Sequence, residues 1–304
     1  MKNRKTLKKK NIKNNLTILI LSFFILITFS IVCDFQIFGQ SKIDKDLKIC
    51  ILTDLEGVSG VVTFENHSYP TGKYYEQSKI LLTKEINAAV EGALEAGTTE
   101  IIVWDGHGSG GINIDYIHPE AIVIMGRFSE GLFKLDPSFD AFMFIGQHAM
   151  SNAPNGNLAH SFSSRTINNI WLNGKLIGEI GAMTLYASYF NIPTIFLSGD
   201  DVACKEIEEL IPNIETVAVK KGLGLNVALN LSPETARLKI KEGIKKAIEK
   251  INQIKLYKVK PPYEVVIEYK NQESAENKTK QTGWTRISDL KCSFKTNDYL
   301  SINW

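Results

Sequence analysis

From Asp46 onward the chain alternates short apolar runs with longer stretches in which apolar residues recur every three or four positions. Leu47–Thr53 (LKICILT), Glu100–Trp104 (EIIVW), Ala121–Met125, Ala141–Ile145 (AFMFI) and Thr194–Leu197 have the length and composition of buried strands. Between them, Tyr75–Ala96 carries a helical stripe of Leu82, Ile86, Ala89, Val90, Ala93 and Leu94, with Gly97 as its stop. Gly178–Phe190 reads as a further helix closed by Asn191 and Pro193, and another starts near Asp201 ahead of a strand around Thr216–Val219. Ser232-Pro233-Glu234 combines an N-cap, a first-position proline and a first-turn acid, and predicts a helix to about Ile251. Such alternation predicts an α/β fold, a mostly parallel sheet with helices on both faces. After about Lys258 the pattern changes, and Tyr263–Tyr269 and Lys291–Thr296 read as strands of a smaller C-terminal α+β part. The expected division is 1–40, 41–205 for the α/β domain, and 206–304 for the part completing the fold.

The first forty residues do not belong to that pattern. They hold seven Lys/Arg against one acid, and an uncharged apolar run from Leu16 to Val32 follows the Lys-rich start. A basic segment followed by an apolar one is a secretory signal or an uncleaved signal anchor. At 17 residues, 16–32 is at the short limit for crossing a bilayer. The positive-inside rule places the rest of the chain outside the cytoplasm, so an exported protein is expected, periplasmic or at the cell surface, with membrane contact only through that segment if it is kept. Cys33 closes the apolar stretch, and an unmodified thiol there is favoured over a lipidated one because Val32 precedes it. Without residues 1–40, 28 basic and 32 acidic residues remain, so a basic nucleic-acid stripe is not expected of the folded part. Cys50, Cys204 and Cys292 are widely spaced and form neither a disulfide framework nor a CxxC metal site.

Chemistry concentrates at strand ends. Three of the five histidines follow apolar runs in loops rich in small residues, among them His107 in WDGHGSGG, with Asp105, and His148 in FIGQHAM. The first strand delivers Asp54 and Glu56 in TDLEG. In an open parallel sheet ligands bind beyond the carboxyl ends of the strands, so three strands bring carboxylates and imidazoles to one edge. Residues two apart share a face of a strand, and Gly57 lets the backbone turn so that both carboxylates point inward. Imidazole with carboxylate suits zinc, and a two-metal hydrolase needs a carboxylate able to bridge. His118-Pro119-Glu120 precedes a strand and reads as a turn at the opposite edge; His67 lies in a polar loop; Asp200 and Asp201 read equally as a helix cap or as groups that orient a ligand histidine. No phosphate-binding GxxxxGK[ST] occurs.

TDLEGVSG, WDGHGSGG, GQHAM, LAHS, NGKLIGEIG and GDDVACKEIEELIPNIETVAVKKG, in that order from about Leu47, resemble the spaced motifs of the zinc D-aminopeptidase family. That resemblance implies two Zn2+ per chain, with Asp54 bridging, Glu56 and His148 completing one site, and His107 and Glu179 the other. It matches His160 to the family's catalytic histidine, for which general acid/base or oxyanion work is preferred here over nucleophilic attack. The loop between His148 and His160 is one residue longer than the family pattern. The implied function is aminopeptidase action on short peptides, D-residues included, by a ring-shaped homo-oligomer with a decamer as one form. Another binuclear hydrolase, an amidase or phosphoesterase, remains open because the ligand set does not fix the bond cleaved. An exported binding protein without catalysis is the alternative from another class.

Overall fold

The computed structural model describes residues 46–126 and 134–304; the Lys-rich start, the apolar run at 16–32 and Cys33 lie outside the described residues. In chain order the strands are β1 (Leu47–Thr53), β2 (Thr98–Asp105), β3 (Ala121–Ile124), β4 (Ala141–Gln147), β5 (Ile167–Leu172), β6 (Lys175–Leu176), β7 (Thr194–Asp200), β8 (Glu215–Gly224), β9 (Val227–Asn230), β10 (Tyr263–Tyr269), β11 (Thr285–Arg286) and β12 (Lys291–Thr296). The helices are α1 (Tyr75–Glu95), α2 (Glu179–Tyr189), α3 (Asp201–Leu210), α4 (Pro233–Glu249) and α5 (Gln272–Thr279).

Seven strands form the main sheet in the order β3-β2-β1-β4-β7-β8-β9, parallel except for the β8–β9 hairpin at one edge. β2 and β3 are laid down on one side of β1, β4 and β7 on the other, so the strand order reverses at the β1/β4 boundary. Such a reversal opens a crevice at the carboxyl ends of the two strands. The expected α/β architecture is the one observed.

Alternation along each strand assigns its side chains to two cores. Ile49 and Ile51 of β1 pack with Leu82, Ile86 and Ala89 of α1 and with Ile240 and Ile244 of α4. Cys50 and Leu52 face the opposite layer, with Ile180 and Met183 of α2 and Ile207 of α3. Leu82 and Ile86 are fully buried, each contributing about 1.5–3 kcal/mol by leaving water. Ser232 caps α4 by accepting from the Thr235 N–H, with Pro233 in the first turn, as the sequence signature predicts.

A second, antiparallel sheet, β11-β12-β10-β5-β6, draws strands from 167–176 as well as from the C-terminal hundred residues. It packs on the other side of α2, whose Ala182 and Leu185 join Val265 and Ile267. α2 is therefore buried between two sheets, which accounts for its apolar residues on all sides. β8 runs beyond the expected strand and folds back on β9. Gly222 and Gly224 interrupt the apolar alternation there, so no period-two signal marks the hairpin. Among the described residues no helix is long and apolar enough to cross a membrane.

Candidate metal centre

Asp54 and Glu56 follow β1 directly, His107 follows β2, and His148 follows β4, so the three loops meet at the β1/β4 crevice. The chain turns inward by close backbone approach. The Gly57 N–H donates to the Gly146 carbonyl at 2.7 Å, and the Asp54 N–H to that of Ile145 at 2.9 Å. Gly146 has φ +77°, and a Cβ there would lie 2.1 Å from the Asp54 carbonyl oxygen, so only glycine fits. Glu179 arrives from the first turn of α2, and His160 from the loop between β4 and β5.

All six residues named from the sequence are brought together. Asp54 lies between two imidazoles, its Oδ1 3.1 Å from His107 Nδ1 and its Oδ2 3.1 Å from His148 Nε2. Glu56 Oε2 is 3.1 Å from His107 Nδ1, and Glu179 Oε1 is 3.3 Å from His148 Nε2 and 3.8 Å from His160 Nε2. Asp54, Glu56, His148 and His160 are buried. Donor atoms of Asp54, Glu56 and His148 lie within 4.8 Å of one another, and so do those of His148, His160 and Glu179.

Each imidazole is tethered from behind. His148 Nδ1 is 2.9 Å from the Ala149 carbonyl, His160 Nδ1 2.8 Å from that of Leu158, and His107 Nε2 3.0 Å from that of Ser68. A carbonyl only accepts, so each outer nitrogen must carry the proton, and a neutral ring then turns a lone pair toward the carboxylates. Lone pairs facing carboxylate oxygens require a cation, or a proton, between them. His148 Nε2 and Glu56 Oε2, though close to each other's neighbours, make no aligned hydrogen bond. The donor set and its unpartnered buried atoms fit a metal, and imidazole with carboxylate fits zinc.

The electrostatics agree. Burial disfavours charge on His107, but Glu56 and Asp54 outweigh it and hold its pKa well above the imidazole range. Burial likewise opposes charge on His148, and Glu179 with Asp54 raises its pKa well above that range. In the absence of a cation, protons are thus drawn into the place one would fill. Burial and the neighbouring His148 lower the pKa of His160. Burial works against Asp54 ionisation, yet the adjacent imidazoles of His107 and His148 keep its pKa low.

The other candidates have different positions. Asp105 accepts from the N–H groups of Gly111 and Ile112 at 3.0–3.2 Å and closes the glycine-rich loop around His107 instead of facing the cluster. Asp200 Oδ1 caps α3 at the Ala203 N–H, as the helix-cap reading expects, while Oδ2 accepts from the Asn157 N–H in the loop leading to His160 and not from a histidine of the cluster. The Asp201 carboxylate accepts from Gly222 N–H. His118 accepts from the Glu120 N–H in a turn before β3. His67 bonds the Thr63 hydroxyl and lies beside Tyr74, outside the cluster.

Three charged residues that sequence reasoning passed over brace the same loops. Glu85 of α1 accepts from Ser59 N–H at 3.0 Å, and Glu206 of α3 from Met150 N–H at 2.8 Å. Lys220 of β8, only 2% exposed, donates to the carbonyls of Glu56 and Val61. Burial pushes Glu85 up to about 8 and Glu206 up to about 7, and draws Lys220 down to about 8. A signal existed for the two acids: Glu85 stands three residues after Leu82, and Glu206 three after Ala203, on stripes that are otherwise apolar. Lys220 gave none, because a register irregularity between β7 and β8 breaks the alternation just there.

Comparison with known proteins adds independent findings. Residues 47–303 match the model of the peptidase M55 family, described as D-aminopeptidase. A D-aminopeptidase of Bacillus subtilis (strain 168) is 34% identical over 239 residues, which are 76% of this chain and 84% of that protein. A solved structure of a zinc-dependent D-aminopeptidase from Bacillus subtilis, described as a self-compartmentalizing protease, matches with a TM-score of 0.78 at 29% identity. That match covers 84% of this chain and 93% of the other.

Proposed function

We propose that this chain, which belongs to the D-aminopeptidase family of peptidases, removes the amino-terminal residue of short peptides at a pair of zinc ions held by Asp54, Glu56, His107, His148 and Glu179. The observation that carries this reading is the tethering of all three imidazoles by backbone carbonyls, which turns their inner nitrogens toward three carboxylates. Asp54, in contact with two imidazoles, is suited to be the shared ligand. Zinc so held supplies Lewis acidity and makes water available as a nucleophile near neutral pH.

The residues of the chain do the rest. The Leu158 carbonyl fixes the Nδ1 proton of His160, so Nε2 is free to accept a proton during attack and return it to the leaving amine. Phe64, edge-on to His160 at 5.5 Å and stacked on Tyr69 at 5.6 Å, provides an apolar wall beside it.

The zinc-dependent relative is described as self-compartmentalizing, and we extend that to a homo-oligomer here. Leu223, Leu225, Val227 and Leu229, all about half exposed or more on one edge hairpin, support self-association. The basic and apolar start of the chain supports export. The deciding experiment strips the protein with a chelator, restores zinc, counts metal per chain, and follows p-nitroaniline release from D-alanyl and L-alanyl anilides. Two zinc ions per chain with chelator-sensitive release are expected; a fully active protein without metal would defeat the reading.

A further inference from the structure

We propose that Lys220 is a positioning residue, whose ammonium clamps the backbone carrying Glu56 and thereby sets the affinity of the pocket for zinc. The proposal rests on Glu56 being a metal ligand, as argued above. Lys220 Nζ donates to the Glu56 carbonyl at 2.5 Å and to the Val61 carbonyl at 2.6 Å, near the two ends of the turn that follows β1. Ser59, inside that turn, is held through its N–H by Glu85 and through its hydroxyl by the Leu231 carbonyl at 2.6 Å. Asn157 reaches the Val62 carbonyl at 3.1 Å from the His160 loop. Without Lys220 the Glu56 and Val61 carbonyls would lose their buried donor, and the turn would be held only by the Gly57 N–H on the Gly146 carbonyl, by Ser59 and by Asn157.

Position, not charge, is the claim, and the two have opposite signs. A cation removed from beside a cation-binding pocket would tighten zinc binding by relieving repulsion. Loss of a clamp would loosen it, because groups that orient ligands typically account for about 10–100-fold in metal affinity. The compact ammonium suits two carbonyls at one point, and methionine has similar length and no donor.

The test measures zinc affinity by chelator competition, and amide hydrogen exchange over residues 57–62, for wild type, Lys220→Met and Lys220→Gln in the full chain. Lys220→Met should raise the zinc Kd about tenfold or more and accelerate exchange in the turn. Lys220→Gln, which keeps an amide donor, should fall between, and it carries the measurement if the methionine variant does not fold. Unchanged or tighter zinc binding in both variants overturns the proposal. A wild-type protein that binds no zinc defeats the ligand assignment itself; a zinc-binding wild type with indifferent Lys220 variants defeats only the clamp.

Discussion

The imidazoles of His148 and His160 lie face to face, ring centroids 3.8 Å apart and planes 15° from parallel. Stacked imidazoles repel when both are charged, so the pair divides its roles: His148 faces Asp54, and His160 stands at the edge of the cluster beside Phe64. Replacing His107 or His148 with alanine is expected to remove bound zinc together with activity. His160→Ala should keep wild-type zinc by elemental analysis while kcat falls about 10²–10⁴-fold, the usual range for a lost general acid–base. A metal-depleted His160→Ala protein would make His160 a ligand, since its donor atom groups with those of His148 and Glu179.

Glu85 provides a pH test away from the cluster. Its carboxyl is raised from 4.5 to about 8, chiefly by burial, with the Ser59 N–H, Lys220 and Arg237 pulling the other way. The folded state therefore binds more protons than the unfolded state between those values. That contribution to stability is whole below about pH 4.5 and is lost as pH rises through about 8. Glu85→Gln imitates the protonated acid. Urea unfolding should show the variant gaining on wild type from pH 5 to pH 8, with a slope up to about 1.4 kcal/mol per pH unit. A constant difference across that range would show that Glu85 is ionised in the fold.

Backbone crowding predicts a steric effect. A Cβ on Gly57 would stand 2.1 Å from the Gln147 carbonyl oxygen, immediately before His148. Gly57→Ala must push apart the two loops that carry the proposed ligands Glu56 and His148, and overpacking of this kind costs on the order of 1–3 kcal/mol. The expected result is a lower urea midpoint together with weaker zinc binding. Gly108→Ala, whose added Cβ would meet nothing within 4 Å, is the control in the neighbouring loop.

The edge hairpin predicts an assembly effect. Leu229, 61% exposed on β9, has no structural reason in one chain to be apolar. Leu229→Lys should leave the thermal unfolding of the subunit unchanged and shift sedimentation velocity toward smaller species. An assembly of wild-type size in the variant would place the self-contact elsewhere.

The candidate site was partly legible in the sequence because β-strands end where apolar runs end. Asp54, Glu56, His107 and His148 all follow such runs, and a parallel sheet delivers those ends to one edge. Glu179 and His160 came from family likeness alone. Glu179 occupies a first helical turn, where an acid is ordinarily explained by the helix dipole; only the burial of α2 between two sheets aims it at His148. Asp105 shows the converse: a carboxylate beside His107 has the right type and position but spends its oxygens on the N–H groups of its own loop.

What the chain determined by itself was periodic and local: strand and helix identities, the capped start of α4, the glycine turns, and the residue types available at the strand ends. Tertiary structure decided which lone pairs face one another, which buried acids and which lysine hold the loops, and how β5 and β6 leave the main sheet to join a second one. Those outcomes depend on distances between segments more than a hundred and sixty residues apart, as between Lys220 and Glu56. Periodicity reports only how neighbouring residues along one segment divide between core and solvent.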